Sequence, residues 1–472
     1  MIGMIMFGVA LVMLMFGFPV AFTFGGVALF FGIYAEGMDL FAFMPFRIMS
    51  VMQNTVLMAV PLFIFMGVVL QRTRLAEQLL TSMGRLFGGL PGGLAISTIL
   101  VGALLAASTG VVGASVVAMG LISLPVMLAH KYDKRLATGT ICASGTLGQI
   151  VPPSIILIIL GDVLGLPVGD LFKAAVMPGV VLIGLYIVYI LILTRFKPET
   201  APAMPAQDES VSRGKEIRDA LLAIIPPLAL IVIVLGSIFT GIATPTESSA
   251  LGGVGAVVLA IIYRQFSFKM VWDAAKDTVS VTAMVFAILI GATAFSMVFS
   301  YTGGDYLLEE WLMMLPGEQW GFIILAMVVI LVLGFFIDFV EISFIIVPIL
   351  APVAEAMGIN MLWFAILIAM NLQTSFLTPP FGFSLFYLKG VAPPEVRTTD
   401  IYKGIIPFIL IQILVLALIV IFPEWFGMSA TYCPPNNPAT LAEPANAGSA
   451  HPPALPLSLQ SADLTKPDHF LY

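Results

Sequence analysis

Residues 371–382, NLQTSFLTPPFG, place amide and hydroxyl side chains directly before a double proline inside a long apolar stretch. Each proline removes a backbone amide donor and disfavours helix in the residue before it. Hydrocarbon offers no partner for the carbonyls that this frees. The stretch therefore predicts a transmembrane helix that is broken at Pro379 and Pro380, with polar groups at the break. Secondary transporters hold substrates and coupling ions at such breaks. The alternative is a proline kink whose hydroxyls bond only to their own backbone.

A second stretch, ASGTLGQIVPPS at 143–154, has the same design, and Pro152 lies 227 positions before Pro379. Similar offsets relate GFPVAFTFGG at 17–26 to IATPTESSALGG near 242–253, and FKAAVMP at 172–178 to YKGIIP at 402–407. These offsets predict an internal duplication. Paired proline-interrupted segments in two halves are the best sequence indication of a transporter binding site.

Hard cations prefer oxygen ligands, and the carbonyls and hydroxyls around the two double prolines could supply them. The residues that we expect to bind the ion are Ser108, Thr109, Gly110, Ala143, Ser144, Gly145, Thr146, Asp338, Gln373, Thr374, Ser375 and Thr378. The residues that we expect to contact substrate are Gln149, Pro152, Ser154, Asn371, Pro379 and Gly382. The composition favours Na⁺ as the coupling ion, while proton coupling through Asp338 stays open.

Asp338 is the clearest acid at membrane depth, and Glu341 follows one helical turn later. An acid inside a membrane indicates function because its burial is costly. The alternative is that Asp338 caps a helix, and the two roles are compatible. The sequence has no Lys or Arg at comparable depth, so an anionic substrate would be held by half-helix N-termini, hydroxyls and bound cations.

The composition predicts an all-α polytopic membrane protein, because 60% of the 472 residues are hydrophobic and 10% are charged. Spans are predicted at 3–17, 19–34, 54–71, 174–194, 219–240, 247–263, 279–300 and 404–422. Residues 94–129 and 320–352 are each too long for one span and short for two, so we expect two helical hairpins. Residues 136–160 and 361–388 are expected to be the two broken helices. Residues 35–53 are amphipathic and are expected to lie at the membrane interface or to brace another domain.

Most of the 20 Lys and Arg residues lie in loops that share one face if the N-terminus is outside: 72–85, 131–135, 195–218, 264–276 and 389–403. The opposite loop, 301–319, carries acids and no basic residue. The positive-inside rule then places the N-terminus in the periplasm and inverts one repeat relative to the other. We predict a first repeat at 1–196, a cytoplasmic linker at 197–218, a second repeat at 219–427 and a disordered periplasmic tail at 428–472.

Other chemistries find little support in the sequence. The two cysteines, Cys142 and Cys433, form no CxxC pair, and the three histidines form no HExxH motif. There is no Walker A sequence. A membrane-embedded enzyme or a channel would need a catalytic dyad or a ring of pore-lining charges, and neither is found. We therefore expect no enzymatic activity, no cofactor other than the coupling Na⁺, and no nucleic-acid partner.

Four stretches together resemble the large membrane (permease) subunit of tripartite ATP-independent periplasmic (TRAP) transporters, the DctM-like family. They are GIATPTESSALG, FFIDFVEISFIIVPILAP at 335–352, SGTLGQIVPPS and LTPPFGFSLFYLKG. The resemblance covers about residues 1–425, and the FIDFVEI hairpin resembles the branch named for mannitol/chloroaromatic compounds. The long tail departs from the family pattern, in which the chain ends soon after the last helix.

The resemblance implies an elevator-type, Na⁺-driven importer in the bacterial inner membrane. It also implies two partners, a small four-helix membrane subunit and a periplasmic substrate-binding protein. Family substrates are mostly organic acids, such as C4-dicarboxylates, 2-oxo acids and sialic acid. The alternative is a stand-alone Na⁺- or H⁺-coupled organic anion carrier of related inverted-repeat architecture. Neighbouring genes for a binding protein and a four-span protein would decide against that alternative.

Overall fold

The computed structural model describes residues 2–73, 75–203, 213–380 and 382–431. Over these residues the chain is helical, and one isolated bridge joins Ile359 to Thr431. The predicted all-α membrane architecture is therefore confirmed. The predicted tail lies outside the described residues from position 432 onward, as do residues 204–212 of the predicted linker.

Seven helices in the described part of the chain are long and apolar enough to cross a membrane. They are Val112–Ala129, Val168–Phe196, Ala220–Phe239 (the apolar part of Arg213–Phe239), Pro245–Ile262, Phe268–Tyr301, Phe339–Ala356 and Thr398–Ile421. Shorter apolar helices include Ile2–Met15, Val20–Glu36 and Ala59–Arg72. Every predicted span overlaps one of these helices. Two of them, Val168–Phe196 and Phe268–Tyr301, begin earlier than hydropathy predicts because their first turns carry charged residues.

Two helical pairs occupy the positions of the expected hairpins. Hairpin 1 consists of Gly93–Thr109 and Val112–Ala129, and Gly110 turns between them with φ +61°. Glycine adopts this left-handed conformation without a steric penalty. Hairpin 2 consists of Glu318–Leu333 and Phe339–Ala356, joined by residues 334–338.

The second limb of hairpin 2 contains a π-helical turn at Ile342–Ile346. Pro348 follows it and cannot donate a backbone hydrogen bond to Phe344, four residues earlier. This irregularity places a non-α turn directly after Asp338 and Glu341. Short π turns inside helices occur often at functional sites.

Both double prolines interrupt a helical segment, as predicted. Segment 1 consists of Lys134–Thr146 and Ile155–Val163, and break 1 is residues 147–154. Segment 2 consists of Met361–Leu377 and Phe383–Val391, and break 2 is residues 378–382. Each break contains a cis proline bond, Pro152-Pro153 and Pro379-Pro380.

The second half of each broken segment packs on the hairpin of the other repeat. Phe383–Val391 packs on Val112–Ala129 of hairpin 1, and Ile155–Val163 packs on residues 339–346 of hairpin 2. A Cβ atom added to Gly120 would lie 2.8 Å from Val391 Cγ2, which shows how closely hairpin 1 and segment 2 approach. The two breaks and the two hairpin tips therefore form one cluster.

The outer helices also exchange partners between the repeats. Val20–Glu36 packs on Phe268–Tyr301, and its sequence counterpart Pro245–Ile262 packs on Ala59–Arg72. Glycines permit both contacts, because a Cβ on Gly291 would lie 2.6 Å from the Ala21 carbonyl oxygen and one on Gly252 would lie 2.7 Å from Met66 Sδ. The same pairing thus occurs twice, with the roles of the repeats reversed.

Three helical elements differ from the sequence-based expectation. The interfacial stretch forms a 3-10 turn, Met38–Phe43, and a short helix, Met44–Met52. Leu75–Phe87 was not predicted, since its apolar residues form a stripe (Leu79, Leu80 and Met83 are buried) and not a continuous run. Gly304–Met313 lies in the predicted outer loop, where its acidic residues lower the hydropathy.

Candidate substrate and ion site

The first half of each broken segment contacts the first limb of its own hairpin through a glycine and a serine. A Cβ added to Gly102 would lie 2.6 Å from Ser144 Cβ, and one added to Gly334 would lie 2.6 Å from Ser375 Cβ. Ser144 and Ser375 are both fully buried. The absence of side chains at the two glycines lets each hairpin approach the residues that precede its double proline.

The predicted hydroxyl ligands donate hydrogen bonds to their own helices. Ser144 Oγ donates to the Ile141 carbonyl (3.0 Å) and Thr146 Oγ1 to that of Ala143 (2.9 Å). In segment 2 the side-chain hydroxyls donate to backbone carbonyls: Thr374 to that of Met370 (2.9 Å), Ser375 to that of Leu372 (2.7 Å) and Thr378 to that of Thr374 (2.7 Å). The hydrogen bonds from hydroxyl groups to their own backbone, which the alternative of a proline kink predicts, are therefore present. A hydroxyl that donates one bond still has lone pairs, so these bonds leave cation ligation open to the same oxygens.

Asp338 caps the second limb of hairpin 2. Its Oδ1 accepts from the Phe339 amide (2.7 Å), and its own amide donates to Glu341 Oε2 (2.6 Å), which completes a capping box. Glu341 is the one buried charged side chain among the residues that the structure describes. The tip of hairpin 2 therefore carries two carboxyl groups beside break 2, and a carboxylate is a strong ligand for a hard cation.

Two buried glutamines border the breaks without protein partners. Gln149 closes the turn at the start of break 1 and is 1% exposed, and Gln373 lies near the end of Met361–Leu377 and is fully buried. Neither amide nitrogen nor amide oxygen of either residue makes a hydrogen bond. Buried amide groups are almost always hydrogen-bonded in proteins, so four unpaired amide atoms on two elements that pack together, the turn at 147–149 and Met361–Leu377, indicate a binding site for a polar ligand.

The other predicted residues have varied surroundings. Gly110 turns the tip of hairpin 1, and Gly145 packs on Val116 of the same hairpin. The side chains of Ser108 and Thr109 lie outside the described part of the structure. Asn371 Nδ2 donates to the Met327 carbonyl of hairpin 2 (2.6 Å) and so has a structural partner.

The predicted substrate residues beside the prolines lie at the breaks themselves. Ser154 occupies the position before Ile155–Val163, and its Oγ donates to the Gln149 carbonyl (2.7 Å). Pro152 is buried and Pro379 is partly exposed. Gly382 precedes Phe383–Val391 with φ +47°. Two half-helices thus begin at the breaks, and the N-terminus of a helix favours negative charge.

The sequence-based analysis missed three buried hydroxyls near the breaks: Thr140, Ser343 and Ser384. None of the three hydroxyl oxygens has a hydrogen-bond partner. Ser384 lies in the first turn of Phe383–Val391, and Ser343 lies in the π turn of hairpin 2. The available signal in the sequence was the isolation of Ser343 and Ser384 among apolar neighbours and the position of Thr140 in the polar helix before break 1.

The sequence matches the family described as "Tripartite ATP-independent periplasmic transporter, DctM component" over residues 7–425. The chain belongs to the DctM family. The resemblance drawn from the four motifs is therefore confirmed. Members of this family are transporter permease subunits, so this DctM-family chain is a multi-pass membrane transport protein and not an enzyme.

Two relatives match this DctM-family chain over nearly their whole length. The C4-dicarboxylate TRAP transporter large permease protein DctM of Rhodobacter capsulatus is 28% identical over 440 residues, which cover 90% of this chain and 97% of the relative. The sialic acid TRAP transporter large permease protein SiaM of Vibrio cholerae is 29% identical over 411 residues, covering 87% and 94%.

A solved structure shares the fold. The crystal structure of the Alcanivorax borkumensis YdaH transporter aligns with a TM-score of 0.57 and 17% identity, covering 83% of this chain and 89% of that one. At this identity the likeness concerns the fold alone. It supports the assignment of the described helices to a membrane transporter architecture.

Proposed function

We propose that this DctM-family permease imports an organic acid, a carboxylate such as a 2-oxo acid or a dicarboxylate, together with Na⁺. The observation that carries the proposal is the cluster formed by the hydroxyl-bearing helix ends before the two breaks, the two hairpin tips and the carboxyl groups of Asp338 and Glu341. Oxygen ligands of this kind suit a hard cation. The ion would bind among the hydroxyls and carbonyls of residues 143–146 and 373–378, with Asp338 supplying charge.

The substrate would lie beside the bound cation and between the breaks. Among the described residues no Lys or Arg is buried, so a carboxylate in this cluster would be neutralised by the cation and by neutral donors. The N-termini of Ile155–Val163 and Phe383–Val391 offer such donors. This arrangement favours co-transport, because the anion and the cation stabilise each other in the site.

Two partners complete the proposed transporter: a small four-helix membrane subunit and a periplasmic binding protein that delivers the substrate. The family description, a tripartite periplasmic transporter, supports both partners. Relatives named for C4-dicarboxylates and sialic acid support a carboxylate as the substrate. During transport the hairpins and broken segments would move together against the exchanged outer helices, as in an elevator.

Uptake into proteoliposomes tests the proposal. We expect accumulation of a labelled organic acid only with an inward Na⁺ gradient, the small subunit and a loaded binding protein. Equal uptake from choline buffer under a proton gradient would show that H⁺, and not Na⁺, is the coupling ion. Uptake by this chain without partners would instead support the stand-alone carrier.

The topology proposal places both termini in the periplasm and the linker in the cytoplasm. Cys433 and Ser212 lie outside the described residues, yet they test this arrangement as labelling sites. An impermeant thiol reagent should label Cys433 of the parent protein in intact spheroplasts and should not label a Ser212→Cys variant in which Cys433 is replaced by Ser. Labelling of position 212 in intact spheroplasts would contradict the topology.

A further inference from the structure

The orphaned amides of Gln149 and Gln373 require a ligand with particular chemistry. Each amide has two N–H donors and an oxygen with two acceptor sites. All of these are buried and unpaired in the protein. A ligand that satisfies both ends of an amide must therefore accept hydrogen bonds at one place and donate them at a neighbouring place.

The helical period turns Gln373 away from hairpin 2. Asn371 and Ser375 contact hairpin 2, through the Met327 carbonyl and Gly334 respectively. At about 100° per residue, Gln373 lies roughly 160° around the helix from both of them. It therefore lies on the side of Met361–Leu377 that faces away from hairpin 2. Apart from hairpin 2, this helix packs on the turn at 147–149, the two halves of segment 1, Val168–Phe196 and Thr398–Ile421.

Gln149 belongs to that turn. Its neighbour Gly148 contacts hairpin 1, since a Cβ there would lie 2.7 Å from the Ala106 carbonyl oxygen. The helix Thr398–Ile421 also packs on Met361–Leu377, but the Trp363 indole donates to its Ile419 carbonyl (3.0 Å) near the opposite end of the helix from Gln373. One glutamine from each repeat thus borders the contact between the two segments.

We propose that Gln149 and Gln373 bind the substrate directly and select a 2-hydroxy acid, in which a carboxylate adjoins a hydroxyl group. This inference rests on the proposed transport of organic acids, and among the carboxylates named there it places hydroxy acids, including hydroxydicarboxylates, ahead of 2-oxo acids. A carboxylate accepts hydrogen bonds from the two amide nitrogens, and the adjacent hydroxyl donates to an amide oxygen. A 2-oxo acid of the same skeleton has acceptors only, so it leaves the amide oxygens without a donor. A site built for a hydroxyl discriminates strongly against an analogue that lacks it.

The burial of unpaired amides also predicts an unusual effect on stability. Replacing a buried orphan amide by an apolar group of similar shape is nearly neutral or stabilising, because no hydrogen bond is lost. Gln149→Met and Gln373→Met should therefore leave the melting temperature of the ligand-free protein unchanged or raise it. Loss of ligand discrimination without loss of stability is the pattern expected of a binding residue.

Gln412 supplies a matched control. It is also fully buried and its Oε1 has no hydrogen-bond partner, but its Nε2 donates to the Tyr186 hydroxyl (2.8 Å) of the neighbouring helix. Gln412→Met leaves that buried hydroxyl without its donor, so the variant should melt at a lower temperature. Its preference among ligands should equal that of the parent protein.

The experiment is a thermal-shift titration of the purified full chain in Na⁺ buffer. The probes are two matched pairs, lactate with pyruvate and 2-hydroxyglutarate with 2-oxoglutarate. For at least one pair the parent should bind the hydroxy acid about ten-fold more tightly than the oxo acid, the value of one hydrogen bond. Gln149→Met and Gln373→Met should each remove most of this preference, and Gln412→Met should keep it.

The outcomes separate this inference from the proposed function. Equal binding of both members of each pair by the parent overturns the glutamine inference and leaves organic acid transport standing. So does a preference that survives in both glutamine variants, or a fall in their melting temperature that matches that of Gln412→Met. If none of the four acids binds in Na⁺ buffer, both this inference and the proposed carboxylate site fail.

Discussion

Break 1 and break 2 have the same construction and different charge. In each, small residues and hydroxyls precede a double proline, and a serine packs on a glycine of the adjacent hairpin. The tip of hairpin 1 is uncharged and turns at Gly110, whereas the tip of hairpin 2 carries Asp338 and Glu341 in a capping box. The helix–break–hairpin construction is therefore shared by the two halves, and the acidic tip occurs in hairpin 2 alone.

The distal halves of the two segments differ in the same manner. Asp162 lies in the last turn of Ile155–Val163, and its carboxylate accepts a hydrogen bond from Asn54 Nδ2 (2.5 Å). Asn54 lies in the loop before the helix Ala59–Arg72. Lys389 occupies the corresponding position of Phe383–Val391, and it donates to the Val396 carbonyl (2.9 Å) in its own following loop. Packing is thus repeated between the halves, while charge and polar contacts to other elements are not.

The largest expected effect separates the two tips. Asp338→Asn should abolish Na⁺-driven uptake while the protein still inserts and assembles, because Asn caps a helix about as well as Asp but carries no charge. Asp305→Asn is a matched control, since Asp305 Oδ1 also accepts from the next amide (Tyr306, 2.8 Å) at an exposed helix start. Uptake assays in proteoliposomes of equal protein content measure both. Normal uptake by Asp338→Asn would show that Asp338 serves only as a helix cap. The two hairpin tips would then contribute equally to transport.

The hydroxyls in the helix ends before the two breaks should contribute more evenly to Na⁺ binding. Thr374→Ala, Ser375→Ala, Ser144→Ala and Thr146→Ala should each raise the Na⁺ concentration for half-maximal uptake. One lost ligand costs about 1–3 kcal/mol, hence about ten-fold or more in affinity. A Na⁺ titration of uptake for each variant gives the shift. If all four curves coincide with that of the parent, the breaks are kinks and the ion site lies elsewhere.

The glycine contacts test whether the packing is equivalent in the two halves. Gly102→Ala and Gly334→Ala should each destabilise the protein by about 1–3 kcal/mol, because the new methyl group collides with Ser144 or Ser375. Gly184→Ala is the control, since a Cβ there meets no atom within 4 Å in the helix Val168–Phe196. Melting temperatures in detergent should fall for the first two variants only. A large difference between the two would contradict the equivalence.

The smallest effect concerns the polar contact found in the first repeat. Asn54→Ala removes the hydrogen bond to Asp162 and those that Asn54 Oδ1 accepts from the amides of Val56 and Leu57. A loss of about 1 kcal/mol in stability follows from such bonds. Lys389→Met should change the melting temperature less, because Lys389 is exposed and its bond reaches only the adjacent loop. Equal changes in melting temperature for Asn54→Ala and Lys389→Met would contradict the proposed difference in polar contacts between Ile155–Val163 and Phe383–Val391.

The sequence predicts the positions of the breaks because proline acts locally, whatever the surroundings. Pro152 and Pro379 therefore indicate both breaks, and hydropathy indicates the spans. Leu75–Phe87 was missed because its apolar residues follow the helical period without forming a long run. The Asn54–Asp162 and Gln412–Tyr186 contacts join residues that are distant in the sequence, and no local pattern announces them.

The candidate site also has features that the sequence predicts and features that only the folded structure reveals. Residue types near the prolines identified Gln149 and Gln373 as polar groups at the breaks, but the lack of any partner for their amides is a property of the folded chain. The hydroxyl of Ser384 is likewise unpaired only because the surrounding helices bury it. Composition thus indicates where polar groups lie, and packing decides which of them are left for a ligand.

The exchange of partners between the outer helices bears on how such a chain could arise. Val20–Glu36 and Ala59–Arg72 each pack on a glycine-bearing helix of the other predicted repeat, so one repeat alone would leave these surfaces without their partners. Given the inverted orientation that the loop charges predict, a half-length ancestor could bury them only against a second copy inserted the opposite way up. Gene fusion would then have fixed a dual-topology homodimer in a single polypeptide. On that account, fusion would let the two halves diverge, and an acidic tip could be kept in one half without appearing in the other.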